Sequence, residues 1–313
     1  MIIYIISDGK KGHLSQTKGL AEALIRHGRQ LRPDAEHAYY EVSITGKTLL
    51  SKLFYKGLDL NLPRPHLILC AGHSTHLAAL SLARHLRCLC MVCMKPSLPL
   101  CFFDLCIMPR HDLRARWEHN PRVFSTVGAI NCIRPCPAVP KRETLVLIGG
   151  PSKEYEWDSE TIINQLNAII RNTGNHIVLT TSRRTPKDFA ADVEAKCSSV
   201  RVVPVEETGP DWVAEHLACA KEVWVTQDSV SMVYESLSSG APVGVLEMPR
   251  RMRRGKPVSS KVYRGLQMLI DEGGVSTVAE WSRTHTLQPP AKVLNEADRA
   301  AEYILSHFPS LTS

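Results

Sequence analysis

Short apolar segments alternate with helix-forming segments along most of the chain, and the whole alternation occurs twice. The apolar segments are rich in β-branched residues, and the segments between them space apolar residues by three and four. This order is typical of parallel sheets covered by helices on both faces. Strands are predicted at 2–6, 66–72, 88–94 and 103–108, and again at 144–150, 176–181, 200–205, 222–226 and 242–248. Helices are predicted at 14–28, 74–86, 158–174 (capped by Asp158 or Ser159), 186–197, 211–220, 229–240 and 292–307.

A turn-rich segment with three prolines, residues 128–143, separates the two halves. A length of 313 residues is sufficient for two domains. We therefore predict one Rossmann-like domain at 1–135 and a second at 136–290. A final helix within 291–313 can pack back on the first domain. Ligands in such sheets bind beyond the carboxyl ends of the strands, so a cleft between the two facing domains is the expected site.

The charge of the chain favours an anionic partner. Its formal net charge is +7, which suits phosphate, nucleic acid or a membrane surface without choosing among them. No run approaches the roughly 20 apolar residues of a membrane-spanning helix. The apolar opening ends at Asp8, so no secretory signal is predicted and a cytoplasmic location is expected.

Ten cysteines are present, and several of them cluster in the first half of the chain. Only Cys90 and Cys93 have the C-x-x-C spacing, whereas a structural metal site needs two such pairs or added histidines. We predict reduced, mostly buried thiols and no metal. The cluster consists of Cys88, Cys90, Cys93, Cys101 and Cys106.

The first strand runs directly into "SDGKKGH". Gly9 and Gly12 allow a tight turn and a close approach of the backbone to a ligand. His13 has a side chain whose usual pKa lies near neutral pH, which suits a general base, and Asp8 either orients it or is itself the base. In the alternative interpretation, His13 only caps the loop.

Two loops of the second half have phosphate-binding character. In "GGPSKEYEW", Gly149 and Gly150 are predicted to expose backbone amides and Ser152 adds a hydroxyl, although a plain turn is an equal alternative. In "TTSRRTP", Arg183 and Arg184 can neutralise a diphosphate or can be solvated surface charges.

The segment "VTQDSVSMVYE" crowds polar side chains at the start of a predicted helix, where free amides and the helix dipole favour anions. Glu235 follows one turn later and can accept hydrogen bonds from both hydroxyls of a ribose. The alternative is a capped helix with a solvated glutamate. The polar residues are Thr226, Gln227, Asp228, Ser229 and Ser231.

Residues 248–257, "MPRRMRRGKP", are strongly basic. They predict either a solvated loop or a contact with an anionic membrane leaflet or an anionic acceptor. Interleaved aromatic residues are absent, which argues against a platform for single-stranded nucleic acid.

Four motifs together, "DGKKGHLSQTKGLAEAL", "GGPSKEYEW", "TTSRRTP" and "TQDSVSMVYESLSSGAPV", resemble the Elm-type mitochondrial fission protein family. They occur in the family's order and span nearly the whole chain. The resemblance implies a GT-B glycosyltransferase architecture with two Rossmann-like domains. It also implies a nucleotide-sugar substrate bound mainly by the second domain and an acceptor on the first, with no cofactor.

A more distant resemblance links the chain to the peptidoglycan N-acetylglucosaminyl transferases. It implies that Gly12 and His13 match a Gly-His pair, which makes His13 the candidate base. Gly9, Gly12 and Gln16 are assigned to an acceptor-side loop on the same grounds. The pair Gly149 and Gly150 and the ribose-binding Glu235 also have counterparts. The lysines of "DGKKGH" replace a glycine and a threonine of those enzymes.

Three alternative functions are consistent with these motifs and resemblances. The first is a metal-independent, inverting glycosyltransferase that serves a cell-envelope glycan or lipid-linked acceptor of the lipopolysaccharide-core type at the inner membrane leaflet. The second is a nucleotide-sugar 2-epimerase, which would need no lipid acceptor. The third is a non-catalytic protein that has kept the fold and binds a partner. None of the three requires nucleic acid.

Overall fold

The computed structural model describes residues 1–46 and 62–312, which form two compact units. Unit 1 comprises Met1–Cys132 and Asn295–Ser313, and unit 2 comprises Ile133–Leu294. The boundaries predicted from the sequence lay after residues 135 and 290. Each unit has its own parallel sheet, so the α/β class predicted from the alternation is confirmed.

Unit 1 contains a parallel sheet in the order β2-β1-β3-β4-β5-β6. The chain moves from β1 to β2 on one side and then crosses to β3 on the other, so the carboxyl ends of β1 and β3 form a topological switch point. The strands are β1 (Ile2–Ser7), β2 (Ala38–Ser43), β3 (Leu67–Ala71), β4 (Leu89–Cys93), β5 (Leu105–Pro109) and β6 (Val123–Thr126). The helices are α1 (Lys11–Leu31), α2 (His73–Leu86) and α9 (Glu296–His307).

Strand β1 is buried along its whole length because helices cover both faces of the sheet. Ile3 and Ile5 belong to the core beneath α1 and α9, whereas Ile2, Tyr4 and Ile6 belong to the core beneath α2. This burial on two faces explains why the strand is an unbroken apolar run.

The C-terminal helix α9 packs on α1 within unit 1. Asp298 pairs with Arg26 and accepts a hydrogen bond from Nε2 of His27 at 3.0 Å. The Glu296 carboxylate accepts the backbone N–H of Val127 at 2.8 Å. The end of the chain therefore contributes to the core of the first unit.

Unit 2 contains a parallel sheet in the order β14-β11-β10-β7-β8-β9, with its own switch point between β7 and β10. The strands are β7 (Glu143–Leu147), β8 (His176–Thr180), β9 (Val200–Val203), β10 (Ala220–Thr226), β11 (Val243–Leu246) and β14 (Ser276–Thr277). A separate hairpin pairs β12 (Met252–Arg253) with β13 (Lys256–Pro257). The helices are α3 (Ser159–Asn172), α4 (Phe189–Lys196), α5 (Trp212–Cys219), α6 (Val230–Ser238), α7 (Lys261–Asp271) and α8 (Val278–Thr284).

Helix α3 begins as its sequence predicted. The Asp158 side chain accepts the backbone N–H groups of Glu160 and Thr161 at 3.0 and 3.2 Å, which satisfies amides that a helix start otherwise leaves open. Elements that the sequence analysis did not predict are β2, β6, the hairpin, α7, β14 and α8.

The predicted burial of the cysteine cluster is confirmed for its strand residues. Cys90, Cys93 and Cys106 are buried in β4 and β5, and burial raises the pKa of the Cys106 thiol to about 12. Cys101 departs from the prediction because it lies exposed in a short 3-10 helix, Leu100–Phe102, before β5. Among the described residues, no group of three or more histidine, cysteine or carboxylate side chains is arranged to hold a metal ion.

None of the helices in the described ranges combines the length and the apolar character needed to cross a bilayer.

Candidate functional site

In unit 1, a histidine–aspartate pair lies at the switch point between β1 and β3. Asp8 follows β1 directly, and His13 lies in the first turn of α1. Nδ1 of His13 lies 3.1 Å from each carboxylate oxygen of Asp8. The Asp8 side chain is 7% exposed and the His13 side chain 22% exposed. The histidine is therefore the member of the pair that solvent or a ligand can reach.

Hydrogen bonds keep the Asp8 carboxyl ionised. Burial by itself would raise the pKa of Asp8, but hydrogen bonds from the Ser74 hydroxyl, from His13 and from the Lys10 backbone hold that pKa below its ordinary value. The Ser74 bond measures 2.7 Å. An ionised carboxylate can only accept, so Nδ1 of His13 carries the proton of the shared bond.

The other ring nitrogen of His13 is open. Nε2 has no hydrogen-bond partner among the described residues. With the proton fixed on Nδ1, this nitrogen presents a lone pair at the surface of the site. A neutral imidazole held in one tautomer by a carboxylate is the arrangement that a general base requires.

The segment that follows the neighbouring strand β3 supplies two residues that the sequence analysis missed, Gly72 and Ser74. Gly72 has a φ of +84°, and a Cβ there would lie 2.2 Å from Cε1 of His13. Only glycine therefore leaves room for the imidazole, and Ser74 then fixes Asp8 from the start of α2. A signal was available in "CAGHST", because the strand predicted over 66–72 ends at Gly72 and the helix predicted over 74–86 begins at Ser74, which places both residues at the carboxyl edge of a sheet.

The acceptor-side loop is shorter than expected, because α1 already begins at Lys11. Gly9 makes the turn with a φ of +79°. Gly12 and Gln16 lie inside the helix, where the Gln16 amide donates to the Gly12 carbonyl at 3.3 Å. His13 consequently projects from a helix and not from a loop tip, which fixes its direction.

In unit 2, the glycine loop after β7 lies at the switch point beside β10. The Gly149 amide donates to the Thr226 hydroxyl at 2.7 Å, and the Gly150 amide donates to Asp228 at 3.0 Å. Both amides are thus occupied within the protein. This differs from the expectation of exposed amides, because side chains at the end of β10 reach across the switch point.

Asp228 links this loop to the "TTSRRTP" loop. Its carboxylate is fully buried and pairs with Arg184 at 2.6 Å. Arg184 also donates to the carbonyl oxygens of Gly150 and Pro151 at 3.2 and 3.1 Å. Arg183 is exposed and makes no hydrogen bond or ion pair with any of the described residues. Arg184 therefore has a structural role in this loop, whereas Arg183 remains open.

A pocket of about 700 Å³ lies over these loops. Its lining includes Ser152 from the glycine loop and Ser260, whose hydroxyl caps α7 by accepting the Tyr263 backbone N–H at 3.2 Å. Two cations of this pocket, Lys153 and Arg264, have no carboxylate partner within the described ranges. Free cations beside a helix start favour an anion. The lining residues are Pro151, Ser152, Lys153, Glu154, Arg184, Asp228, Ser259, Ser260 and Arg264.

The sequence analysis missed Lys153, Ser260 and Arg264. Lys153 stands within a quoted motif but was not selected. Ser260 and Arg264 belong to α7, which no predicted element covered. The sequence "SSKVYRG" contains the signal of a serine cap followed by a basic residue four positions later.

The predicted ribose-binding segment lies at the start of α6. Ser229 is buried at the N-cap, and Ser231 is exposed one position inside the helix. Gln227 accepts the Met248 backbone N–H at 3.3 Å. Glu235 is half-buried and has no hydrogen-bond partner among the described residues, and burial raises its pKa to about 7. An uncompensated carboxyl group of this kind suits a ligand that donates hydrogen bonds.

Comparison with known proteins identifies the family. The family model described as mitochondrial fission ELM1 matches residues 11–308. The chain belongs to this family. An uncharacterised protein of Rickettsia prowazekii is 24% identical to it, with 97% of this chain and 98% of that protein covered.

Solved structures also resemble this ELM1-family chain. A putative UDP-N-acetylglucosamine 2-epimerase from Listeria monocytogenes matches with a TM-score of 0.55 at 12% identity, covering 98% of this chain and 96% of that one. The UDP-GlcNAc 2-epimerase of Methanocaldococcus jannaschii matches with a TM-score of 0.54 at 11% identity, covering 98% and 100%. At such identities the likeness concerns the fold. The predicted GT-B-like class with two Rossmann-like units is confirmed.

Proposed function

We propose that the protein is a glycosyltransferase that moves a sugar from a nucleotide-sugar donor to a hydroxyl group of an acceptor. The observation that carries the proposal is the Asp8–His13 pair, in which a buried carboxylate holds Nδ1 and leaves Nε2 open. The pair lies at a topological switch point, where ligands of such sheets bind.

Unit 1 supplies the base. Nε2 of His13 takes the proton of the acceptor hydroxyl while the hydroxyl oxygen attacks the anomeric carbon of the donor sugar. The bond between that carbon and the phosphate oxygen breaks, and its electron pair leaves with the nucleotide. Asp8 does not take the proton in this scheme; it holds the tautomer and stabilises the imidazolium that forms.

Unit 2 binds the donor. Lys153, Arg264 and the start of α7 favour the diphosphate and neutralise the charge that develops on the departing nucleotide. Glu235 accepts the ribose hydroxyls. Since cationic side chains supply the neutralisation, we propose no metal cofactor. The Gly149 and Gly150 amides are not proposed to bind the diphosphate, because both already have partners within the protein.

The acceptor is proposed to be an envelope glycan or a lipid-linked saccharide of the lipopolysaccharide-core type. A formal net charge of +7 supports an anionic acceptor and a peripheral position at the inner leaflet of the cytoplasmic membrane. Attack by an activated hydroxyl opposite the leaving phosphate inverts the anomeric centre, so an inverting reaction is proposed.

Nucleotide-sugar 2-epimerisation is the second candidate, and Glu235 is the observation that favours it. A carboxyl group with a pKa of about 7 exchanges a proton readily near neutral pH, as an epimerase acid or base must. The two epimerase structures share this fold at low identity.

The test is to incubate the protein with radiolabelled nucleotide sugars in the presence and absence of inner-membrane acceptors. Transfer of label that needs the acceptor supports the first function. Interconversion of two soluble nucleotide sugars without any acceptor would instead establish the epimerase. If no nucleoside diphosphate binds in a thermal-shift screen, both enzymatic functions fail and a partner-binding role replaces them.

A further inference from the structure

The basic segment that the sequence left open folds into a small hairpin. Strands β12 and β13 pair antiparallel, with Met252 opposite Pro257 and Arg253 opposite Lys256. The turn between them has two left-handed residues, Arg254 with a φ of +52° and Gly255 with a φ of +72°. Two consecutive residues of positive φ are the geometry of a tight two-residue hairpin turn.

The base of the hairpin is fixed to unit 2. The guanidinium of Arg250 lies 3.5 Å from the ring centre of Tyr263 and 5.4 Å from that of Tyr155. The Arg251 amide donates to the Glu154 carbonyl at 2.8 Å, and the Val258 amide donates to the Arg251 carbonyl at 2.9 Å. Arg250 therefore holds the base of the hairpin against unit 2, and residues 251–257 extend beyond it.

The tip of the hairpin combines unpaired cations with an exposed apolar side chain. Met252 is 55% exposed. Four basic residues beside it are exposed and have no carboxylate partner among the described residues. Like charges held this closely repel one another unless an anionic surface neutralises them. The four are Arg251, Arg253, Arg254 and Lys256.

We propose that this tip binds an anionic lipid surface. The cations contact the headgroups, and the Met252 side chain enters the boundary between headgroups and acyl chains. A lipid surface fits better than a nucleic acid, because an apolar thioether gains nothing from a phosphodiester backbone and the tip offers no aromatic ring on which a base would stack. The inference rests on the peripheral membrane position included in the proposed function and names the surface responsible for it. It can be tested separately from sugar transfer, since lipid binding needs neither donor nor acceptor.

Lipid binding is expected to follow the number of cations at the tip. Each basic residue near a charged bilayer changes the partition coefficient by about fivefold. The paired substitution Arg253→Glu and Arg254→Glu is therefore expected to lower it by about 25-fold or more. Met252→Ser is expected to lower it by about fivefold, because only part of the side chain is buried in the bilayer.

The experiment is co-sedimentation of the full chain with vesicles of phosphatidylglycerol and phosphatidylethanolamine, with phosphatidylcholine vesicles for comparison. The control is Lys187→Glu with Lys196→Glu, which changes two exposed cations of the same unit by the same charge. The expected result is binding to the anionic vesicles only, weakened by salt, lost in the hairpin variant and kept in the control. Thermal unfolding verifies that both variants fold, and Arg253→Gln with Arg254→Gln replaces the reversal if it does not.

Three results would overturn the proposal: equal binding of both vesicle types, equal losses in the hairpin variant and its control, or vesicle binding that Met252→Ser leaves unchanged. Binding of duplex DNA with the same dependence on the hairpin, in the absence of vesicle binding, would assign the tip to nucleic acid instead. Vesicle binding by a wild-type protein that transfers no sugar would count against the proposed function alone.

Discussion

Both units have polar groups at the topological switch point of their sheet. In unit 1 one of these groups stays accessible to a ligand, whereas in unit 2 the loop amides are paired within the protein. In unit 1, the residue that follows the neighbouring strand β3 is Gly72, which has no side chain and leaves space for His13. In unit 2, Asp228 lies just after the neighbouring strand β10, and its carboxylate would lie 2.3 Å from a Cβ on Gly149 and accepts the Gly150 amide. The switch point of unit 1 leaves Nε2 of His13 accessible, whereas the switch point of unit 2 pairs the backbone amides of its own glycine loop.

The difference shows that a glycine-rich loop after a strand is not by itself a phosphate site. Whether its amides are available depends on the side chains that the adjacent strand places beside them. In unit 2 we propose that an anion binds further out, at Lys153 and at Arg264 on α7, which line the pocket over the loop. If Nε2 of His13 is accessible and the glycine loop of unit 2 is paired with Asp228, substitutions at the two switch points should have different effects.

The largest effect is expected from removing the open imidazole. His13→Ala should lower the rate of sugar transfer by about 10²–10⁴-fold, because a positioned base contributes that factor. Nucleotide affinity should be unchanged, since the donor site is proposed to lie in unit 2. Transfer assays and calorimetric binding measure the two quantities. His119→Ala, an exposed histidine of the same unit, is the control and should retain full activity.

Filling the space beside the imidazole should destabilise unit 1. Gly72→Ala adds a methyl group at a left-handed φ and against the His13 ring, so a loss of about 3 kcal/mol in unfolding free energy is expected. Gly46→Ala has a similar φ of +72°, but apart from its chain neighbours no atom of residues 1–46 or 62–312 lies within 4 Å of the added Cβ. It should cost only about 1 kcal/mol. Equal losses in urea unfolding would show that the imidazole is not packed against Gly72.

Glu235 should make unit 2 less stable as pH rises. Its folded-state pKa of about 7 lies above the ordinary 4.5, so the folded protein holds the proton more tightly than the unfolded chain. The contribution of Glu235 to the free energy of unfolding is fully present below pH 4.5. This contribution decreases as pH rises to about 7, by roughly 3 kcal/mol at most.

Glu235→Gln removes the titrating group and should abolish this slope. Denaturant unfolding of both proteins between pH 5 and pH 8, on the order of one measurement per pH unit, provides the test. A wild-type profile as flat as that of the variant would show that the carboxyl group is well solvated.

The smallest expected effect is the difference in unfolding free energy between variants of two adjacent arginines. Arg184→Met leaves Asp228 buried without its cation, and we expect a loss of about 2 kcal/mol in unfolding free energy, since the guanidinium is partly exposed. Arg183→Met should stay within about 0.5 kcal/mol, as is usual at exposed positions. The closed loop of unit 2 would be refuted if the two variants unfolded at the same denaturant concentration.

Much of the fold could be predicted because its signals are local. A strand covered by helices on both faces must be apolar throughout, and "IIYII" and "TLVLI" have that character. The N-cap at Asp158 was readable for the same reason, since its partners lie two and three residues away. Strand β2 was missed because it lies at the sheet edge, where half-exposed residues interrupt the apolar pattern.

The candidate sites were predicted less completely. The pairing of Asp8 with His13 was inferred from residues five positions apart. Ser74 was missed because it reaches Asp8 from 66 positions away, across a strand order that the sequence does not state. The role of Arg184 was ambiguous for a similar reason, since its carboxylate partner belongs to a different strand.

The sequence by itself determined two parallel sheets, the loops that end their strands, and the residue types in those loops. Only the tertiary structure decided which polar groups are paired and which are open. The Gly150 amide donates to a carboxylate 78 positions away and is therefore not available to a ligand. The His13 ring stays accessible because the residue beside it, after another strand, is a glycine. Periodicity encodes the burial of a segment, but hydrogen bonding depends on which strands become neighbours, and that is fixed only when the sheet assembles.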